Sequence, residues 1–169
     1  MKSYQVKNLM VPLSEYATVS EAATLLEAVK ALKEAQAAFN QKSYRHRAIL
    51  VIDKNNHIVG KLSQHDVIEA LEPNYKAMRN SVPSGSIHRL GFSDDFVKST
   101  IEQFHLWEKA LENLCEKAID QKVIELMYSP GKGEFVNENA SMDEAIHRLI
   151  IGHHHSLLVT ADRDAREIV

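Results

Sequence analysis

The sequence predicts an α+β fold: two pseudo-symmetric units, each strand–helix–strand–strand–helix, with a helical insert between them. The first observation behind this is an internal repeat. Shifted by 117 positions, Val6-Lys7-Asn8-Leu9-Met10 lies over Val123-Ile124-Glu125-Leu126-Met127, Val19 over Val136, and Leu32 over Leu149. Self-similarity at a fixed offset means a repeated structural unit. The second observation is the same helix-start signal in both copies, Thr24-x-x-Glu27 and Ser141-x-x-Glu144. In each, the hydroxyl satisfies an amide of the first turn and the glutamate reaches back to the cap. The third is a short apolar run rich in β-branched residues, Ala48-Ile49-Leu50-Val51-Ile52, echoed by Leu157-Leu158-Val159. Such runs suit strands covered on both faces.

The elements follow in order. After the first capping box, Leu25, Val29, Leu32, Gln36 and Phe39 are spaced by four, three, four and three. That spacing is a helix with one largely apolar face. After the second box, Met142, Ala145, Ile146 and Leu149 predict a shorter one. Asp53-Lys54-Asn55-Asn56 is a turn by composition. His57 to Leu62 is the returning strand, with Ile58-Val59 matched by Ile168-Val169. Asp66 to Leu71 is a short helix that ends near Pro73. Residues 74–92 hold Pro83, Gly85, Gly91 and several serines and read as a connector. Ser93-Asp94-Asp95 then opens one long helix, its acids suiting the helix dipole. Phe96, Ile101, Phe104, Trp107, Leu111, Leu114 and Ala118 give it an apolar stripe. A stripe of that kind must be buried, against the repeats or against a second chain. The units are residues 5–72 and 121–169, and the insert is 73–120.

Composition removes whole classes of function. A chain of 169 residues can bury roughly 70% of its unfolded surface, so it needs no staples. Lys plus Arg is 20 and Asp plus Glu is 23, a net charge of −3 that argues against nucleic-acid binding. Cys115 is alone, which excludes an intrachain disulfide and a cysteine-rich zinc site. No apolar run approaches the roughly 18 residues of a membrane helix, and Met1 to Gln5 lack a secretory pattern. The expectation is a cytoplasmic protein without a membrane partner. No Gly-x-Ser-x-Gly, phosphate-binding P-loop or His-Glu-x-x-His appears, so no enzyme is expected. His153-His154-His155 invites a metal. Adjacent residues on a strand point to opposite faces and no acidic cluster stands beside them, so no metal site is expected.

Val-x-x-Leu-Met at the head of each unit, the capped helix, the apolar strand and Ile58-Val59-Gly60-Lys61-Leu62-Ser63-Gln64-His65-Asp66-Val67-Ile68 together resemble a tandem pair of cystathionine-β-synthase (CBS) domains, also called a Bateman module. The resemblance covers about residues 5–72 and 121–169. It implies two repeats paired about a pseudo-twofold axis, with clefts for an adenosine ligand such as AMP, ADP, ATP or S-adenosylmethionine. It also implies a regulatory role toward an unidentified partner protein, and a homodimer. The first repeat's Ser-x-x-Asp segment has no counterpart before Val169, so no second nucleotide site is carried over.

The chemistry of the candidate site lies where the strand meets the helix at Gly60 to Asp66. Gly60 lets another group approach the backbone closely. The Asp66 carboxylate can accept from both hydroxyls of a ribose. Ser63 stands at the helix opening, where a hydroxyl and free amides meet a phosphate. Spacing alone describes a helix cap equally well; the repeat and the resemblance favour ribose and phosphate. The resemblance adds His65, Ala48 and Arg47, the last suiting a phosphate and a solvated surface equally. The resulting expectation is a regulatory adenine-nucleotide module with no required cofactor. The alternative is a ligand-free oligomerisation scaffold that uses the insert.

Overall fold

The computed structural model describes residues 4–38, 48–81, 93–109 and 111–161. In chain order they form β1 (Thr18–Ser20), α1 (Leu25–Ala38), β2 (Ala48–Ile52), β3 (Ile58–Ser63), α2 (Gln64–Leu71), α3 (Asn74–Ser81), α4 (Asp94–Gln103), α5 (Leu111–Ala118), α6 (Val123–Leu126), β4 (Phe135–Asn137), α7 (Met142–Gly152) and β5 (Leu158–Thr160). Short 3-10 turns lie at Val6–Asn8, Leu13–Glu15 and Lys132–Glu134. The α+β architecture is the one the repeat predicts. Among the described residues no helix is long and apolar enough to cross a membrane.

Strand register repeats with the sequence. β1 runs parallel to β2 with Thr18 opposite Leu50 and Val19 opposite Val51. β4 runs parallel to β5 with Phe135 opposite Leu158 and Val136 opposite Val159. The residues paired in one sheet are the alignment mates of those paired in the other. β2 continues antiparallel into β3 through the expected turn. There the Asp53 carboxylate accepts the amides of Asn55 and His57, each at 2.8 Å, and Asn56 is left-handed.

The two repeats exchange their first segments. The Val6 amide donates to the Ala140 carbonyl, and its mate 117 positions on, Val123, donates to Ala23. Met142 donates to Tyr4 just as Leu25 donates to Gln121. Val6 is accordingly buried with Val136 and Ala145 of the second repeat. Val123 and Leu126 are buried with Leu25, Ala28, Ile49, Val51 and Leu62 of the first. Leu50, Ile58 and Leu158 close the middle, where the repeats face each other. Each half therefore completes the other's core.

The connector and the insert differ from expectation. Residues 74–81 are not loop but α3, which starts directly after Pro73. A proline suits the start of a helix as well as its end, and the Glu72 carboxylate accepts the Asn74 amide at 3.1 Å. The stripe from Phe96 to Ala118 is not one helix. It breaks at Phe104, and His105 and Trp107 are left-handed (φ 53° and 61°). The break lets Leu106, Leu114 and Ala118 reach the core while Phe96 and Ile101 on α4 stay exposed. Of the stripe, Leu114 and Ala118 are buried and Phe104 is half-buried, while Phe96, Ile101, Trp107 and Leu111 remain exposed. The three histidines do not open a strand either: His153 is the left-handed cap that closes α7.

Candidate functional site

The strand–helix junction forms as the residues dictate. β3 ends at Ser63, which is the N-cap of α2. The Ser63 hydroxyl accepts the Asp66 amide at 3.3 Å, and Asp66 Oδ2 accepts the Ser63 amide at 2.7 Å and its hydroxyl at 2.6 Å. This reciprocal arrangement satisfies two otherwise orphaned donors at the helix start. Ser63 and Asp66 therefore do form the helix cap, and any ligand must share the Asp66 carboxylate with it. Ala48 is the cross-strand partner of Ser63, so three expected site residues meet at one corner. His65 is exposed on the first turn of α2. Arg47 lies outside the described residues.

Beside this corner is a cavity of about 330 Å³. Asp66, Glu69 and Ala70 of α2 form one wall, Lys76 of α3 another, and Glu125 to Ser129 of the second repeat the third. Sites for small ligands usually occupy clefts of about this size or larger. The second repeat also has a cleft of about 620 Å³ along β4, lined by Lys132, Asn137, Arg148 and Thr160 among others. Among the described residues, no three His, Cys, Asp or Glu side chains group as a metal would require.

Gly60 shows why the junction needs a glycine. A Cβ there would fall 2.2 Å from Met127 Sδ and 3.2 Å from Met127 Cβ. Met127 lines the cavity, so β3 and the wall from the second repeat come into close contact at Gly60. Gly60→Ala is expected to destabilise the fold by about 1–3 kcal/mol, as overpacking does. Thermal melting checks this, and adding Met127→Ala should recover part of the loss. A Gly60→Ala protein that melts with wild type would show that the wall yields freely.

A buried ionic network ties the same strand to the second repeat, and sequence reasoning missed it. Lys61 and Tyr128 exchange backbone hydrogen bonds of 2.9 Å in both directions. The Lys61 ammonium lies 2.5 Å from Glu134 Oε2 and 4.9 Å from the centre of the Tyr128 ring. The Tyr128 hydroxyl donates to Glu134 Oε1 at 2.6 Å, and the Gly131 amide donates to it at 3.1 Å. Glu134 is only 2% exposed. Burial pushes its carboxyl upward, but the bonds from Lys61, Tyr128 and Gly131 and the lysine charge outweigh that and hold it below the ordinary range. The hydrogen bond to Glu134, then burial and the nearby negative charge, raise the Tyr128 phenol. Lys61 stands within the motif that marks the junction. Glu134 stands in a Gly-Lys-Gly-Glu stretch that reads as a solvated turn, with no pattern to reveal a buried acid.

Comparison with known proteins gives one family match and several similar structures. Residues 6–73 match the family model of the CBS domain. The CBS domain of a CBS domain-containing membrane protein from Sphaerobacter thermophilus is similar, with a TM-score of 0.59 and 17% identity over 95% of this chain and 79% of that one. The CBS-pair protein CBSX2 from Arabidopsis thaliana is similar with a TM-score of 0.57 and 17% identity, over 99% and 86%. CBSX2 in complex with AMP is similar with a TM-score of 0.55 and 19% identity, over 98% and 87%. At these identities the likeness is one of fold. No curated protein matches the chain.

Proposed function

Since residues 6–73 are a CBS domain and the whole chain has the fold of CBS-domain pairs, we propose that this CBS-domain protein is a regulatory adenine-nucleotide module rather than an enzyme. It binds an AMP-, ADP- or ATP-type ligand and signals through conformation or assembly. One observation carries the reading. Asp66, whose carboxylate suits a ribose diol, borders a cavity and is bonded to Ser63, the cross-strand partner of Ala48; of the expected site residues among those described, Asp66 alone lines that cavity. The AMP complex of CBSX2, a protein of the same fold, supports the ligand class. S-adenosylmethionine is the remaining candidate of that class. In this reading Arg47 serves the phosphate and His65 flanks it, and no cofactor is required.

The reading extends to a cytoplasmic homodimer that acts on a partner protein. Val29 on α1 and Ile146 on α7 are pseudo-symmetric mates, and both are exposed. A symmetric pair of apolar helix faces suits symmetric pairing of two copies. A scaffold that binds no ligand is the second reading, and it rests on the exposed Phe96, Val97 and Ile101 of α4.

Two measurements decide between them. Mass spectrometry of a heat extract identifies any nucleotide that copurifies. Thermal melting of nucleotide-free protein with millimolar AMP, ADP or ATP should show a rise of several degrees. A ligand at a hundred times its dissociation constant adds roughly 2.7 kcal/mol to the folded state. A chain of this size gains roughly 2–4 °C per kcal/mol. No shift with any of the three, and no bound nucleotide, would favour the scaffold.

A further inference from the structure

The insert lies outside the part of the chain that resembles a CBS pair; it lends Lys76 to the wall of the Asp66 cavity, and its turn at His105–Trp107 is joined to the candidate site through one short helix, α2. α2 starts at Ser63 and Asp66 and ends against the insert. Its C-cap residue, Glu72, is 4% exposed and holds two amides: Asn74 on one carboxylate oxygen at 3.1 Å, and Trp107 on the other at 2.7 Å. The Trp107 indole in turn donates to the Tyr75 hydroxyl at 3.1 Å, with the rings edge to face. Just before Glu72, the Ala70 carbonyl accepts from the Gln121 side chain at 3.3 Å. The end of α2 is therefore bonded both to the turn that breaks the insert and to the residues that follow α5.

We infer that Glu72 is a positioning residue that couples the Asp66 site to the insert, so that nucleotide bound at one end of α2 changes the turn at His105–Trp107. The inference rests on the nucleotide reading above. Three features make the coupling physical. A ribose on Asp66 draws on the carboxylate that now caps α2, so the first turn of the helix responds directly. An eight-residue helix is about 12 Å long and moves as one rod. At its far end, His105 and Trp107 hold left-handed backbone, which is unfavourable for residues with a Cβ and persists only where neighbours enforce it. Glu72 is one such neighbour and Tyr75 is another. A cavity of about 320 Å³ between the end of α2 and the insert, bordered by Leu71, Glu72, His105 and Leu114, gives the turn room to relax.

Trp107 is the only tryptophan in the chain, so its fluorescence reads this turn alone. Calorimetry with AMP on the full chain gives the affinity, and Trp107 emission is followed in the same titration. The expected result has two parts. Emission changes with the calorimetric midpoint, and Glu72→Gln shifts AMP affinity by about fivefold or more although Glu72 does not line the Asp66 cavity, because coupling is reciprocal. Should Glu72→Gln melt too low to study, Tyr75→Phe loosens the same junction from the exposed side and is expected to shift affinity in the same sense. Heat of binding with unchanged emission, or with wild-type affinity in the variant, overturns the coupling and leaves the nucleotide reading intact. No heat with AMP, ADP or ATP removes the nucleotide reading and the coupling with it.

Discussion

Glu134→Ala is expected to lower the stability of the fold by about 3 kcal/mol, the lower end of what removing one partner of a buried ion pair costs. The lower end applies because Lys61 keeps 20% of its side chain exposed and can reach water. At roughly 2–4 °C per kcal/mol, the melting temperature should fall by about 6–12 °C. The loss has three sources: an unpaired Lys61 ammonium, a Tyr128 hydroxyl without its acceptor, and an unsatisfied Gly131 amide. Glu134→Gln keeps an acceptor for the last two and should cost less. Combining it with Lys61→Met should give less than the sum of the single losses, because the two residues touch.

The pH dependence has a definite sign. The Glu134 carboxyl titrates below its ordinary 4.5 in the folded chain. A lowered carboxyl contributes stability that is complete above the unfolded value and is lost as pH falls through the folded one. Melting wild type and Glu134→Gln between neutral and strongly acidic pH should therefore show a gap that closes on the acid side of 4.5. A gap that is constant with pH, or absent, would mean that the carboxylate charge contributes nothing to the join between the repeats.

Asp66→Ala is expected to weaken AMP binding by roughly tenfold to a hundredfold. Hydrogen bonds to a charged group contribute about 1.5–3 kcal/mol each, and paired losses do not simply add. The variant also removes half of the capping box, at a cost of about 0.5–2 kcal/mol to the empty fold. Ser63→Ala removes the hydroxyl bonds of the cap but keeps the Asp66 carboxylate, so melting of its empty form gives the cost of the cap, while any loss of AMP affinity in it reports the hydroxyl offered to the phosphate. Calorimetry with AMP and melting of the empty proteins give both quantities. If Asp66→Ala binds AMP as tightly as wild type, the carboxylate serves the cap alone.

The parts of this protein legible in its sequence are those set by local periodicity and by repetition. Both capped helices, the strand from Ala48 to Ile52 and the turn at Asp53 follow from spacing and turn chemistry within a few residues. The 117-residue offset goes further, because matched residues in two copies must occupy matched registers. Ser63 and Asp66 were legible from their place where a strand meets a helix, and Ala48 only through the resemblance. The cavity wall at Met127 to Ser129 was not, since nothing near those residues states what they face.

Sequence by itself determined the class of fold, the two repeats and the strand–helix junction that carries the candidate ligand chemistry. Tertiary structure alone decided how the halves are joined. Val6 and Val123 look alike as the first apolar residue of each copy, yet each is buried in the opposite repeat. A local pattern records that a residue must be covered and not by which half. The break in the insert follows the same logic. Helical spacing from Phe96 to Ala118 is continuous, but in an unbroken helix the Trp107 amide would bond to the carbonyl four residues back and could not reach the buried Glu72 carboxylate, next to which Leu106 and Leu114 are buried too. Burial of those groups outweighs the cost of two left-handed residues, and only the folded chain brings both into the balance.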